Sequence, residues 1–110
     1  MALPKSVRLF EVGPRDGLQN EPGEVTTATK VALIDRLTAC GLSAVESTSF
    51  VSPKWVPRMA DNAQVMAGIA RRDGVSYPVL TPNMRGYEDA RAAGADTVCV
   101  FSAASETFSH

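Results

Sequence analysis

The chain has 110 residues, of which 45% are hydrophobic and 21% charged. That balance suits one soluble globular domain and argues against disorder. Its formal net charge of −1 gives no reason to expect nucleic acid or an anionic membrane as a partner, although local basic residues can still hold a small acidic substrate.

The N-terminal residues, MALPKSVRLFEV, carry neither the apolar stretch of a signal peptide nor the Arg/Ser-rich run of a transit sequence. No apolar run approaches a membrane span, and the expectation is a cytoplasmic protein. Residues 7–12 (VRLFEV) read as a first strand, followed by a Gly/Pro-rich polar loop over 13–24. Thr26 or Thr27 caps a helix running to Ala39 or Cys40, with Val31, Leu33, Ile34 and Leu37 on its apolar face and Lys30, Asp35 and Arg36 turned away. Gly41 stops it, since glycine takes the left-handed conformation without steric cost.

The pattern then repeats. Residues 43–48 (SAVEST) read as a short strand, and a loop with Pro53, Trp55 and Pro57 follows; packing is the expected role of Trp55 and Met59. Asp61 is a cap for a second helix ending at Gly74, striped by Val65, Met66 and Ile69, with Arg71 and Arg72 in its last turn where the helix dipole favours cations. Residues 75–81 (VSYPVLT) make a third strand, although Pro78 cannot donate to a ladder. Asn83 starts a third helix that ends at Gly94, and residues 96–102 (DTVCVFS) form a fourth strand. Cys40 and Cys99 make no CxxC pair or metal-type cluster and read as buried small hydrophobes in a reducing compartment.

Strands alternating with helices indicate a parallel α/β sheet. The segment after the first strand, GPRDGLQNEPG, lacks the G-x-G-x-x-G of a doubly wound dinucleotide fold. Strands beginning near residues 7 and 96 imply units of about 30 residues, and eight of them would fill a (β/α)8 barrel of roughly 240. The expected fold is therefore the N-terminal part of a (β/α)8 TIM barrel, with about four parallel strands and three helices, residues 1–110 forming a single incomplete domain. The first and fourth strands of such a piece are open edges, and a truncated or partial chain is expected.

Barrel enzymes carry their chemistry on the loops after the strands, where three sets of residues qualify. The first is Glu11 with Arg15, Asp16, Gln19, Asn20 and Glu21. Arg15 offers a fork of donors for a carboxylate, enolate or thioester oxygen, and Asp16 a hard oxygen ligand for a divalent cation; the alternative is a solvated turn. The second is Glu46 with Ser47, Thr48 and Ser49. A carboxylate inside a strand points either to the barrel interior or to the helix layer, and either demands a partner, so a functional role and a structural ion pair both stand. The third is residues 102–106, whose ordinary reading is an exposed loop. His110 is assigned no role.

EVGPRDGLQNE (residues 11–21), AVESTSFVSPKWVPRMAD (44–61), YPVLTPN (77–83) and AAGADTVCVFSAASETFS (92–109) closely resemble the 3-hydroxy-3-methylglutaryl-CoA lyases. The RDG turn alone is shared with the isopropylmalate and homocitrate synthases. The resemblance implies metal-dependent cleavage of (S)-3-hydroxy-3-methylglutaryl-CoA to acetyl-CoA and acetoacetate, the chemistry of leucine degradation, with Mg2+ or Mn2+ as cofactor and a CoA thioester as substrate. It implies that Arg15 is the catalytic arginine and a substrate contact, that Asp16 ligates the metal, that Glu46 is a catalytic acidic residue near it, and that Gln19 and Ser49 line the substrate pocket. The family's metal-binding histidines, asparagine ligand and catalytic cysteine lie on later strands and loops, and Cys40, Cys99 and His110 match none of them. The 110 residues alone are expected to be inactive, and the full-length protein to be a homodimer. A relative acting on a longer branched 3-hydroxy-acyl-CoA, or a non-catalytic half-barrel, are the alternatives.

Overall fold

The computed structural model describes residues 3–101. The first strand, β1 (Phe10–Glu11), leads through the polar loop to α1 (Thr27–Ala39). Next come β2 (Ala44–Val45), β3 (Thr48–Ser49) and α2 (Asn62–Gly68), then β4 (Val79–Leu80), α3 (Met84–Ala92) and β5 (Val98–Cys99). All pairing is parallel: β1 with β2, β3 with β4, and β4 with β5. β2 and β3 are two stretches of one crossing. On one side Glu46 N–H donates to the Glu11 carbonyl at 2.8 Å; on the other Ser47 N–H donates to the Pro78 carbonyl at 2.9 Å. The chain thus makes four parallel crossings in sequential order, as consecutive strands of a barrel do.

The helices cover one face of this sheet. Ile34, Val45, Val65, Met66, Val79 and Ala90 are buried together beneath them, so the helix layer and the sheet share one hydrophobic core. The other face is open. Both edges are open too: among the described residues β1 pairs only with β2 and β5 only with β4. Val7, Leu9 and Phe10 are exposed at one edge, and Val98 and Val100 at the other.

Helix starts follow their caps. The Thr29 N–H donates to the Thr26 hydroxyl at 3.2 Å, and the Gly86 N–H to the Asn83 side chain at 2.8 Å, each satisfying an orphan donor of the first turn. α3 meets the β3 end so closely that a Cβ on Gly86 would lie 2.3 Å from the Phe50 carbonyl oxygen; only glycine fits there.

Several expectations from sequence need correction. Lys30 is buried, not turned to solvent: its ammonium donates to Asp61 Oδ1 at 2.7 Å and to the Arg58 carbonyl. Asp61 consequently does not cap α2 through its side chain; its other oxygen accepts from the Thr27 hydroxyl at 2.6 Å. α2 stops at Gly68 rather than Gly74, because the next backbone donors find tertiary partners. Ala70 N–H donates to Asp35 at 2.9 Å and Arg72 N–H to the Tyr77 hydroxyl at 3.0 Å. Arg71 and Arg72 therefore lie outside the helix. The strands are shorter than the apolar runs that announced them. Cys40 and Trp55 are exposed, whereas Met59 is buried as expected.

Candidate active site

Four crossings end on one side of the sheet, and the loop after β1 folds over that side. Residues Gly13–Gly17 form a tight π-helical turn in which the Asp16 and Gly17 N–H groups both donate to the Val12 carbonyl, at 2.7 and 3.4 Å. Such turns are rare and tend to mark functional sites. Glu11 serves the turn by accepting from the Gly13 N–H at 2.9 Å. The turn carries Arg15 to the open sheet face, where its Nε–H donates to Glu46 Oε1. Arg15 Nη1 also donates to Asp16 Oδ1 at 3.3 Å. Asn20 holds Asp16 from behind, donating to its carbonyl at 2.8 Å and to its Oδ1 at 3.4 Å.

Glu46 owes its position to a β-bulge. Ala44 stands opposite Ser76, and Thr48 opposite Val79, so the second crossing uses one residue more than its neighbour over the same stretch. With strict alternation Glu46 and Ser49, three apart, would face opposite ways. The extra residue turns both to the open face, the re-aiming that bulges near sites provide. Ser47 fits the role of the extra residue. Its hydroxyl donates to the Val45 carbonyl at 3.1 Å. That is the acceptor the N–H of residue 78 would serve in a regular ladder, had residue 78 not been proline.

Arg15, Asp16, Gln19, Asn20, Glu46 and Ser49 line a single cavity of about 500 Å³, closed on the far side by Leu80, Cys99 and Phe101. The electrostatics are graded. Glu46 is 3% exposed and is compensated by Arg15, while the Asp16 side chain is 54% exposed. The ion-pair reading of Glu46 is what the structure shows, with the carboxylate facing the interior. Gln19 Oε1 and Ser49 Oγ are buried without a hydrogen-bond partner among the described residues. Native proteins satisfy buried polar atoms, so these two oxygens have capacity left for a water or a ligand.

The five residues to which the resemblance gave roles, Arg15, Asp16, Gln19, Glu46 and Ser49, meet here with Asn20, whereas Glu11, Glu21, Ser47 and Thr48 do not line the cavity. Residues 102–106 and His110 lie outside the described residues. Cys99 is the residue that sequence reasoning missed, although its alternation with exposed Val98 and Val100 set it on the opposite face. Burial, then the neighbouring Glu46 carboxylate, push the Cys99 thiol above the ordinary thiol range, against a smaller opposing effect of Arg15.

A hard divalent cation takes about six oxygen ligands. Among the described residues no three His, Cys, Asp or Glu side chains gather as a metal centre; Asp16 supplies one carboxylate, and Glu46 is engaged by Arg15. These residues do not hold such an ion unaided.

Residues 6–110 match the HMGL-like family. The chain is 60% identical over 106 residues to the hydroxymethylglutaryl-CoA lyase, mitochondrial, of Rattus norvegicus, covering 96% of this chain and 33% of that protein. It is 58% identical over 109 residues to a 3-hydroxy-3-isohexenylglutaryl-CoA/hydroxy-methylglutaryl-CoA lyase of Pseudomonas aeruginosa, covering 99% of this chain and 36% of that protein. The crystal structure of a hydroxymethylglutaryl-CoA lyase from Pseudomonas aeruginosa superposes with a TM-score of 0.94 at 58% identity, over 99% of this chain and 36% of that one. The chain spans about a third of the length of the curated relatives it matches. The likeness establishes the fold as the N-terminal part of a TIM barrel. One expectation is overturned: relatives at this level of identity are named as mitochondrial, so the cytoplasmic reading drawn from N-terminal composition does not stand.

Proposed function

We propose, because this chain belongs to the HMGL-like family, that it is the N-terminal part of a lyase splitting (S)-3-hydroxy-3-methylglutaryl-CoA into acetyl-CoA and acetoacetate, residues 1–110 being one incomplete domain of a protein that works as a homodimer. The observation that carries the reading is the convergence of Arg15, Asp16, Gln19, Glu46 and Ser49 on one cavity of about 500 Å³. Cleavage of the C2–C3 bond, as a base of the full-length protein takes the proton of the C3 hydroxyl, leaves negative charge on the thioester oxygen of the departing enolate, which a proton returned to its carbon converts to acetyl-CoA. Rate then depends on fixed donors aimed at that oxygen. Arg15 is such a donor: Glu46 and Asp16 engage two edges of its guanidinium and so orient the fork before substrate arrives. The orphaned Gln19 and Ser49 oxygens are contacts for the acyl group's polar atoms. A divalent cation, Mg2+ or Mn2+, supplies Lewis-acid chemistry in this reaction class; Asp16 is this chain's ligand to it, and the other ligands come from the longer protein. The test is acetoacetate release from 3-hydroxy-3-methylglutaryl-CoA by the full-length protein with added Mg2+; no release under those conditions rejects the reading.

The bacterial relative named for a second, isohexenyl substrate favours a further reading, in which a longer branched 3-hydroxy-acyl-CoA is accepted. Assay of both thioesters by the full-length protein separates the two: turnover of the methyl substrate alone removes the second.

A further inference from the structure

The catalytic face carries a group that the proposed chemistry does not use. Cys99 lies on β5, two crossings away from Glu46, yet both line the same cavity as Arg15. The register explains how. Ser49 stands opposite Leu80, and Leu80 opposite Cys99, so these three share the open face, and the bulge brings Glu46 round to it. Glu46 is paired with Arg15 and is therefore a carboxylate with acceptor capacity left over: it has about four lone-pair sites. Cys99 is the thiol from the opposite crossing that lines the cavity with it.

We infer that Cys99 is a positioning residue for the Arg15–Glu46 pair, its S–H donating to the Glu46 carboxylate from the far strand and holding that carboxylate against the guanidinium. The inference rests on the cavity being the active site proposed above. Glu46 would otherwise be fixed from one side only, by a partner on a loop. A donor on β5 ties it to the sheet as well, and Arg15 inherits the rigidity. A group that orients a catalytic residue in this way works best when its own rotamer is fixed by regular structure. The thiol stays protonated in the role: burial and the Glu46 charge both disfavour the thiolate. That makes Cys99 a donor and not a nucleophile. Its charged neighbours across the two cavities it borders are Glu46, Arg15 and Asp16 and, on the β1 side, Arg8.

Two measurements test the inference. In this chain with Cys40→Ser, so that one thiol remains, thiolate formation is followed by ultraviolet absorbance against pH. Glu46→Gln is expected to lower the titration midpoint, because the acceptor charge is gone; an unchanged midpoint in a variant whose circular dichroism is native overturns the inference. If Glu46→Gln does not fold, Glu46→Asp, which keeps the charge but retracts it by one methylene, is expected to lower the midpoint by less, and an unchanged midpoint in that variant overturns the inference. In the full-length protein, Cys99→Val should lower kcat about tenfold, the effect of losing one hydrogen bond to a charged group, with KM little changed. Cys99→Ser, which restores a donor, should recover most of the rate. Equal kcat in the valine variant also overturns the inference. A full-length wild type without lyase turnover would remove the functional reading and leave the titration as the deciding measurement.

Discussion

Arg15 holds two carboxylates of different character. Glu46 is buried and, among the described residues, has the guanidinium as its one charged partner, whereas Asp16 keeps half its side chain in solvent. The two contacts should separate in mutagenesis. Arg15→Met leaves Glu46 buried beside an alkyl chain, and breaking a buried pair in that way costs about 3–5 kcal/mol, read as a fall in the urea midpoint. In the full-length protein the same change should also lower kcat by about 10²–10³, the usual effect of removing an oxyanion donor, with less effect on cation affinity. Asp16→Asn should do the reverse: it should leave the urea midpoint nearly unchanged and raise the Mg2+ concentration needed for turnover. Wild-type cation dependence in that variant would remove Asp16 from the ligand set. The two cysteines separate as well. At neutral pH iodoacetamide should modify exposed Cys40 well before Cys99, whose thiol is held above the ordinary range and whose thiolate, the reactive form, is therefore scarce. Peptide mass spectrometry over a time course reads the order, and equal rates would contradict the raised thiol and the partial burial of Cys99. The sign of the linkage follows. A thiol pKa raised by folding contributes stability below the unfolded value that is lost as pH rises through the folded one, so Cys99 weakens the fold only in alkaline solution.

At the scale of elements, the second crossing is where sequence reading and structure part most. SAVEST reads as one strand, yet the chain makes two two-residue strands around a bulge. The bulge was not legible because nothing in the residue types of 44–49 counts the residues of the neighbouring strand; it appears only when Ala44 is set against Ser76 and Thr48 against Val79. Pro78 was legible as a missing donor, but not the remedy, the Ser47 hydroxyl on the Val45 carbonyl. Ser47→Ala should therefore cost about 1–3 kcal/mol, the penalty for a buried acceptor left unpaired, measured by chemical denaturation; a loss of a few tenths would mean the carbonyl has another donor. Gly86 supplies a second check. An alanine there puts Cβ 2.3 Å from the Phe50 carbonyl, and forcing α3 outward should cost about 1–3 kcal/mol despite alanine's better helix propensity. A stabilised Gly86→Ala variant would contradict the close approach. Helix caps at Thr26 and Asn83 were readable because capping is local chemistry, whereas the end of α2 was set by side chains outside the helix, Asp35 from α1 and Tyr77 from beyond the turn that follows.

For the whole molecule, the core lies on one side of the sheet only. The helix face is packed, while both edges carry apolar side chains in solvent, Leu9 and Phe10 at one end and Val98 and Val100 at the other. Unpaired strand edges flanked by exposed apolar groups are templates for association. The isolated 110-residue chain is expected to self-associate, with a sedimentation coefficient that rises with concentration, and to show no lyase turnover with added Mg2+. A monodisperse, well-folded monomer would count against the first expectation, and metal-dependent acetoacetate release against the second. Both rest on the same fact: the chain spans about a third of its relatives.

What the sequence by itself determined was the alternation of strands and helices, the caps at Thr26 and Asn83, the barrel class and the identities of Arg15, Asp16, Gln19, Glu46 and Ser49 as candidates. These are signals carried by neighbours in the chain or by a motif. Only the tertiary structure decided that Lys30 is buried against Asp61, that Glu46 faces the cavity and pairs with Arg15, and that Cys99 joins them from the far strand. Each of these depends on register between segments about 30 or more residues apart, and register is set by how the sheet packs and not by any local preference of the residues that meet.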